Sequence, residues 1–154
     1  MHLKKSGIMT TYAPEVNTGM PFFEQTCQLF TCVEEHDFDT LSQLCDDDFG
    51  IVDIAPDGSS VVIRDRIGWE NWFKHLFHQL DTMQAKTYTH IEDFRSLVSG
   101  DMGYCAVEFC QHLEVGGQHH KFYCVVTIIW KKMPDGSWKE SRWHCSVVRR
   151  ELAI

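Results

Sequence analysis

Residues Met102 to Arg149, MGYCAVEFCQHLEVGGQHHKFYCVVTIIWKKMPDGSWKESRWHCSVVR, decide the fold. They read as three long β-strands joined by two tight turns. Val115-Gly116-Gly117 and Pro134-Asp135-Gly136 are the turns, since Gly reaches positive φ freely and Pro presets the turn entry. The strands span Gly103 to Glu114, His119 to Lys132 and Trp138 to Arg149. A fourth strand, Lys86 to Phe94, precedes them, with Thr and Tyr enriched. Long antiparallel strands make a curled sheet, whose concave side needs a filler.

The first half supplies it. Trp69, Trp72, Phe73, Leu76, Phe77 and Leu80 recur at helical spacing and form an apolar stripe, with His75 and His78 pointing away. Phe23, Cys27, Phe30 and Val33 mark an earlier helix, from Pro21 to about His36. Asp39 is expected to cap a short second helix through Leu44. The run Asp46-Asp47-Asp48 reads as a solvated corner. Gly50 to Ile54 and Val61 to Arg64 read as a hairpin about a Pro56-Asp57-Gly58 turn. The order α-α-β-β-α-β-β-β-β predicts an α+β meander. A helix lying in a bent sheet leaves a blind apolar pocket.

The chain has 154 residues, 44% hydrophobic and 23% charged, which suits one domain with one core. Residues 1–17 are expected to be a flexible arm and 18–154 the domain. The net charge of -8 argues against nucleic acid and anionic membranes. No apolar run approaches the roughly 18 residues of a spanning helix. Seven scattered cysteines without CxxC spacing read as buried free thiols in a reducing cytoplasm.

Three stretches, taken in order, resemble the nuclear-transport-factor-two-like superfamily: HDFDTLSQLCDDDFGIVD (36–53), RIGWENWFKHLFHQL (66–80) and DGSWKESRWHCSVV (135–148). Its members include SnoaL-like polyketide cyclases, ketosteroid isomerase and scytalone dehydratase. The resemblance covers about residues 20–150. It implies a cystatin-like cone, a curved and mostly antiparallel sheet wrapped around helices. It also implies a homodimer through the outer sheet face and proton-transfer chemistry on a small apolar ligand, without metal or organic cofactor. A non-catalytic ligand-binding or dimerisation module of the same fold is the alternative.

Asp53 lies where the isomerase carries its carboxylate base, and a carboxylate against apolar walls is a usable base near neutral pH. The alternative is a turn residue preceding Pro56. His90 lies near the dehydratase's pocket imidazole and suits a proton shuttle; otherwise it is a histidine satisfied at the sheet edge. Tyr88, Trp69, Trp72, Phe73, Trp143 and Val126 are the expected pocket wall. Comparison with the family's patterns places Ser141, Trp143 and Cys145 inward and Glu140, Arg142 and His144 outward. Side chains alternate along a strand, so this parity is all or nothing, and an error of one residue would bring Arg142 and His144 into the pocket instead. The isomerase's oxyanion donors would fall at Leu29 and about Val126, both apolar, and the cyclase base at Trp143. His75 and His78 could pair on a metal, but no third ligand is evident.

Overall fold

The apolar patterns above close into a seven-stranded sheet holding three helices on one face. The structure is a computed structural model and describes residues 10–54 and 59–153. The Pro56-Asp57-Gly58 turn and the first part of the expected arm lie outside the described residues. In chain order the elements are β1 (Thr11–Tyr12), α1 (Phe23–Glu35), α2 (Phe38–Gln43), β2 (Cys45–Ile54), β3 (Ser60–Ile63), α3 (Arg66–Thr82), β4 (Lys86–Ser99), β5 (Met102–Val115), β6 (Gln118–Lys132) and β7 (Trp138–Ala153). The sheet order is β1-β4-β5-β6-β7-β2-β3. The protein thus has the α+β architecture that the element order predicted and the curved sheet that the resemblance implied. No helix among the described residues is long and apolar enough to cross a membrane.

The turns form where Gly permits them: Gly116, Gly117 and Gly136 have φ of 58°, 78° and 89°. Alternation then sets the core. Cys105, Val107 and Phe109 of β5, and Cys124, Val126, Ile128 and Trp130 of β6, face the helices and are buried. Helix α1 lays Phe23 against Phe94 and Phe30 against Phe109, with ring centroids 5.3 and 4.9 Å apart. Each such side chain contributes roughly 1.5–3 kcal/mol by leaving water. Two of the polar groups buried among these side chains are satisfied. Thr26 Oγ1 donates to the Phe22 carbonyl at 2.7 Å, and Trp130 Nε1 donates to Cys105 Sγ at 3.4 Å.

Three local features differ from expectation. Asp37, not Asp39, caps α2, its carboxylate accepting from Thr40 N at 3.2 Å. Asp39 sits inside the first turn. The acidic run is not a corner but the start of β2, which begins at Cys45. Asp46 is buried and pairs with Lys131 at 3.6 Å, while Asp48 meets Arg142 at 3.3 Å, so cations from β6 and β7 offset the like-charge repulsion. Thr11 and Tyr12 pair in parallel with His90 and Ile91 of β4. Thr10 Oγ1 donates to Glu34 at 3.0 Å and holds that segment against α1.

One close approach packs the start of α1 against the sheet. Phe22 adopts φ 68°, stacks on Trp130 at 5.6 Å and meets Trp138 at 5.1 Å. Its ring lies over Gly103, where a Cβ would come within 2.5 Å of Phe22 and 2.7 Å of the Leu97 carbonyl. Gly103→Ala should therefore destabilise the protein by about 1–3 kcal/mol, the usual cost of overpacking. Urea unfolding measures it, and a loss below about 0.5 kcal/mol would contradict this packing.

Candidate functional site

Helix α3 crosses the sheet without filling it. Its aromatic stripe divides: Trp69, Phe77 and Leu80 are buried in the core, while Trp72, Phe73 and Leu76 are half-buried and face a cavity of about 650 Å³. Trp69 also borders this space, along with Leu29, Phe30, Leu41, Phe109, Trp143 and Cys145. The size suits a small organic molecule. The exposed lining residues His78, Gln79, Thr82 and Met83 cluster at the C-terminal end of α3, so the cavity opens there. Its closed end lies by the N-terminus of α3. There Arg66 donates to the Cys45 carbonyl at 2.9 Å and to the Ser42 carbonyl at 2.6 Å.

Two carboxyl groups line this apolar space, Asp53 of β2 and Glu140 of β7. Asp53 is half-buried on the wall. Glu140 is only 4% exposed and sits beside Cys45 at the closed end. Its inward position overturns the expected outer-face assignment. Along β7, Arg142 pairs with Ile129 but Glu140 pairs with Trp130, so Ser141 is an extra residue. This β-bulge resets the alternation. Trp143 and Cys145 line the cavity and Arg142 and His144 are exposed, as regular alternation predicts; beyond the bulge, Glu140 turns inward as well.

Glu140 therefore lies in a setting hostile to charge. Its backbone N–H donates to the Leu44 carbonyl at 2.8 Å, but among the described residues no hydrogen bond reaches its carboxyl. Burial pushes its pKa up to about 8, with Asp53's charge adding to the rise. Three of the cysteines are equally unsuited to ionise. Burial raises Cys45, and it lifts Cys105 to about 11 and Cys32 to about 12, so none is a thiolate nucleophile at neutral pH. All seven are free thiols.

The structure separates the other expected site residues. Trp69, Trp72, Phe73 and Trp143 join Asp53 at the cavity. His90 and Tyr88 do not. Thr87, Thr89 and Ile91 take the inward positions of β4, which puts Tyr88 and His90 on the opposite face. His90 Nδ1 bonds Thr11 Oγ1 at 2.6 Å. Tyr88 stacks on His112 at 4.5 Å and donates to Glu114 at 3.3 Å. Val126 is wholly buried in the core between Val107 and Cys145, and does not border the cavity. Leu29 does border it, so the position expected to match one of the isomerase's oxyanion donors is an apolar wall here. Among the described residues, no group of three or more His, Cys, Asp or Glu is placed to hold a metal ion. A signal for His90 was present: its neighbour Ile91 is completely buried, so His90 had to face out.

Comparison with known proteins places this cavity in context. The profile of the SnoaL-like domain matches residues 25–150. No curated protein matches the chain in sequence. Among solved structures, a provisionally assigned scytalone dehydratase from Novosphingobium aromaticivorans superposes with a TM-score of 0.69 at 14% identity, covering 83% of this chain and 82% of that one. A hexachlorocyclohexane dehydrochlorinase, LinA Type2, gives 0.68 at 17% identity and 84% of each chain. A provisionally assigned ketosteroid isomerase from Shewanella frigidimarina gives 0.68 at 14% identity, covering 88% of this chain and all of the other. At these identities the likeness concerns the fold.

The displaced ionisation of Glu140 has a stability signature. Its pKa stands near 8 folded and 4.5 as a free side chain. The unfolded chain thus releases the proton first as pH rises. The folded state loses stability between pH 4.5 and 8 and is level above. Glu140→Gln removes this loss, so its stability relative to wild type should rise across that window. The gain is on the order of a few kcal/mol, at about 1.4 kcal/mol per pKa unit. Thermal unfolding at both ends of the window measures it; a constant difference would contradict the raised pKa.

Proposed function

The chain belongs to the SnoaL-like domain family, and from that membership we propose that it is a cofactor-independent isomerase, dehydratase or cyclase. Its substrate is a small apolar or aromatic molecule, and proton transfer is its chemistry. The observation that carries this reading is a carboxylate, Asp53, on the wall of a largely apolar cavity that Trp72, Phe73 and Trp143 also line. Asp53 takes the role of general base, drawing a proton from carbon next to an activating group. The aromatic walls hold the substrate by excluding water and orient the C–H bond toward Asp53. The dehydratase, dehydrochlorinase and isomerase among the similar structures are compatible with such chemistry on one scaffold. His90, tied to Thr11 on the far face, has no part in it.

The outer face supports a second component of the reading, assembly as a homodimer. Leu97, Met102 and Tyr104 are exposed there, at 56%, 52% and 41%. Light scattering should give twice the chain mass, whereas a monomer at micromolar concentration would contradict it.

Deuterium incorporation tests the chemistry. A panel of aromatic and alicyclic ketones and hydroxyketones in heavy water should include at least one whose carbon-bound hydrogen the protein exchanges or whose turnover it accelerates. Asp53→Asn should reduce that rate by about 10²–10⁴-fold, the usual contribution of a positioned base. An unchanged rate in the variant would remove Asp53 from the mechanism.

A further inference from the structure

The bulge at Ser141 delivers to the closed end of the cavity a group whose function no packing requirement explains. Glu140 is more than nine-tenths buried, faces the cavity, and has no hydrogen bond to its carboxyl among the described residues. Burying a polar group without a partner costs free energy, and that cost is recovered when a ligand supplies the partner. The surroundings say which form of the acid is present. Cys45 on β2 and Cys105 on β5 lie close enough for Glu140 to raise their pKa, and both are neutral thiols. Among the described residues, Asp53 on β2 is the one charge that acts on Glu140 itself, and it is negative. Arg66 on α3 acts on Cys45 rather than on Glu140, its guanidinium bonding the carbonyls of Ser42, Cys45 and Asp46. The described lining contains no Lys or Arg, and its single imidazole, His78, is at the mouth.

We propose that Glu140 is the recognition group of this cavity: its neutral carboxyl donates a hydrogen bond to an uncharged oxygen at the leading end of an apolar ligand, so that the site takes neutral ketones and similar acceptors and rejects carboxylates and amines. A carboxylate would enter a space where Asp53 is negative and no described lining residue is Lys or Arg. An ammonium has three N–H donors to satisfy. Asp53 offers it a countercharge on the wall, but at the Glu140 end it would meet one neutral carboxyl beside Cys45, and would lose most of its hydration. A carbonyl oxygen needs one donor and finds one. Glu140 also stands opposite the mouth, so the oxygen-bearing end enters first and the apolar body lies along Trp72, Phe73 and Trp143. The donor that Leu29 and Val126 do not supply thus comes from β7.

This inference deepens the proposed function, since it concerns the same cavity, but equilibrium binding reads it without any turnover. Four probes share one ring system and one substitution position: acetylnaphthalene, ethylnaphthalene, naphthoate and naphthylethylamine. Calorimetric titration of the wild type at about pH 6 should show acetylnaphthalene binding about tenfold more tightly than ethylnaphthalene, the effect of one hydrogen bond from an uncharged donor. Naphthoate and naphthylethylamine should bind more weakly than the ketone. The ketone's advantage should fall away as pH rises through about 8, where Glu140 ionises and ceases to donate. Glu140→Leu should abolish the advantage at every pH. Glu140→Gln keeps an N–H donor and should retain the advantage while losing its pH dependence, which also shows that the site remains folded. Equal binding of ketone and hydrocarbon, an advantage that survives Glu140→Leu, tighter binding of the amine or the acid, or no binding of any probe would each overturn the proposal. A ketone preference without proton exchange would sink the enzyme reading alone, and exchange without the preference would sink this inference alone.

Discussion

In strand β7, Ser141 stands opposite no residue of β6. The chain on one side of it is paired through Arg142 and Ile129, on the other through Glu140 and Trp130. The excess is held in place from β2. Ser141 Oγ donates to the Asp48 carbonyl at 3.3 Å, and Arg142 donates to the same carbonyl at 2.6 Å and to the Asp48 carboxylate at 3.3 Å. Strand β2 answers with an irregularity of its own, for its register with β7 shifts between Cys45 and Gly50. The acidic run therefore spans the irregular stretch, with Asp48 as the anchor of the bulge. Were β7 regular here, Glu140 would follow the parity of Arg142 and His144 into solvent, and Asp53 would be the one carboxyl group among the described residues lining the cavity.

Placing an acid at the closed end of an apolar cavity works against stability. A hydrophobic side chain there would pack better and carry no desolvation cost. The rest of the molecule is stable enough to bear it, since the concave face is filled elsewhere by Phe22, Phe30, Phe109, Trp69 and Trp130, all buried. The result is a pair of carboxyl groups in one space whose environments differ. Asp53 is half-buried on the wall, while Glu140 is enclosed and held neutral by burial. Two acids kept in different protonation states are a recurring way to obtain a base and a donor from the same functional group.

The fold could be read from the chain because its signals are local and redundant. Gly116-Gly117 and Gly136 mark the turns, and the spacing of Trp69 through Leu80 marks α3. The site was legible only in part. Asp53, Trp69, Trp72, Phe73 and Trp143 reach the cavity because regular alternation or helical spacing puts them there. Glu140 was hidden because a bulge leaves no local mark in a sequence, and a slip of one residue inverts every later position. Tyr88 and His90 were misplaced for a different reason. Lys86 to His90 alternates polar with polar, so it shows no face, and Thr89 proves to be the inward residue because Gln111 satisfies its hydroxyl at 2.8 Å and Glu34 its backbone N–H at 2.8 Å. Ile91 fixes the parity, and the bulge at Glu92 then keeps Phe94 inward too.

The protonation state of Glu140 tests all of this most directly. An infrared difference spectrum between wild type and Glu140→Gln isolates the one carboxyl group. The account predicts the carbonyl band of a protonated acid at neutral pH, replaced by carboxylate bands with a midpoint near pH 8. Carboxylate bands persisting down to about pH 5, the behaviour of a solvated glutamate, would show that Glu140 faces water and that the bulge does not do what is claimed for it.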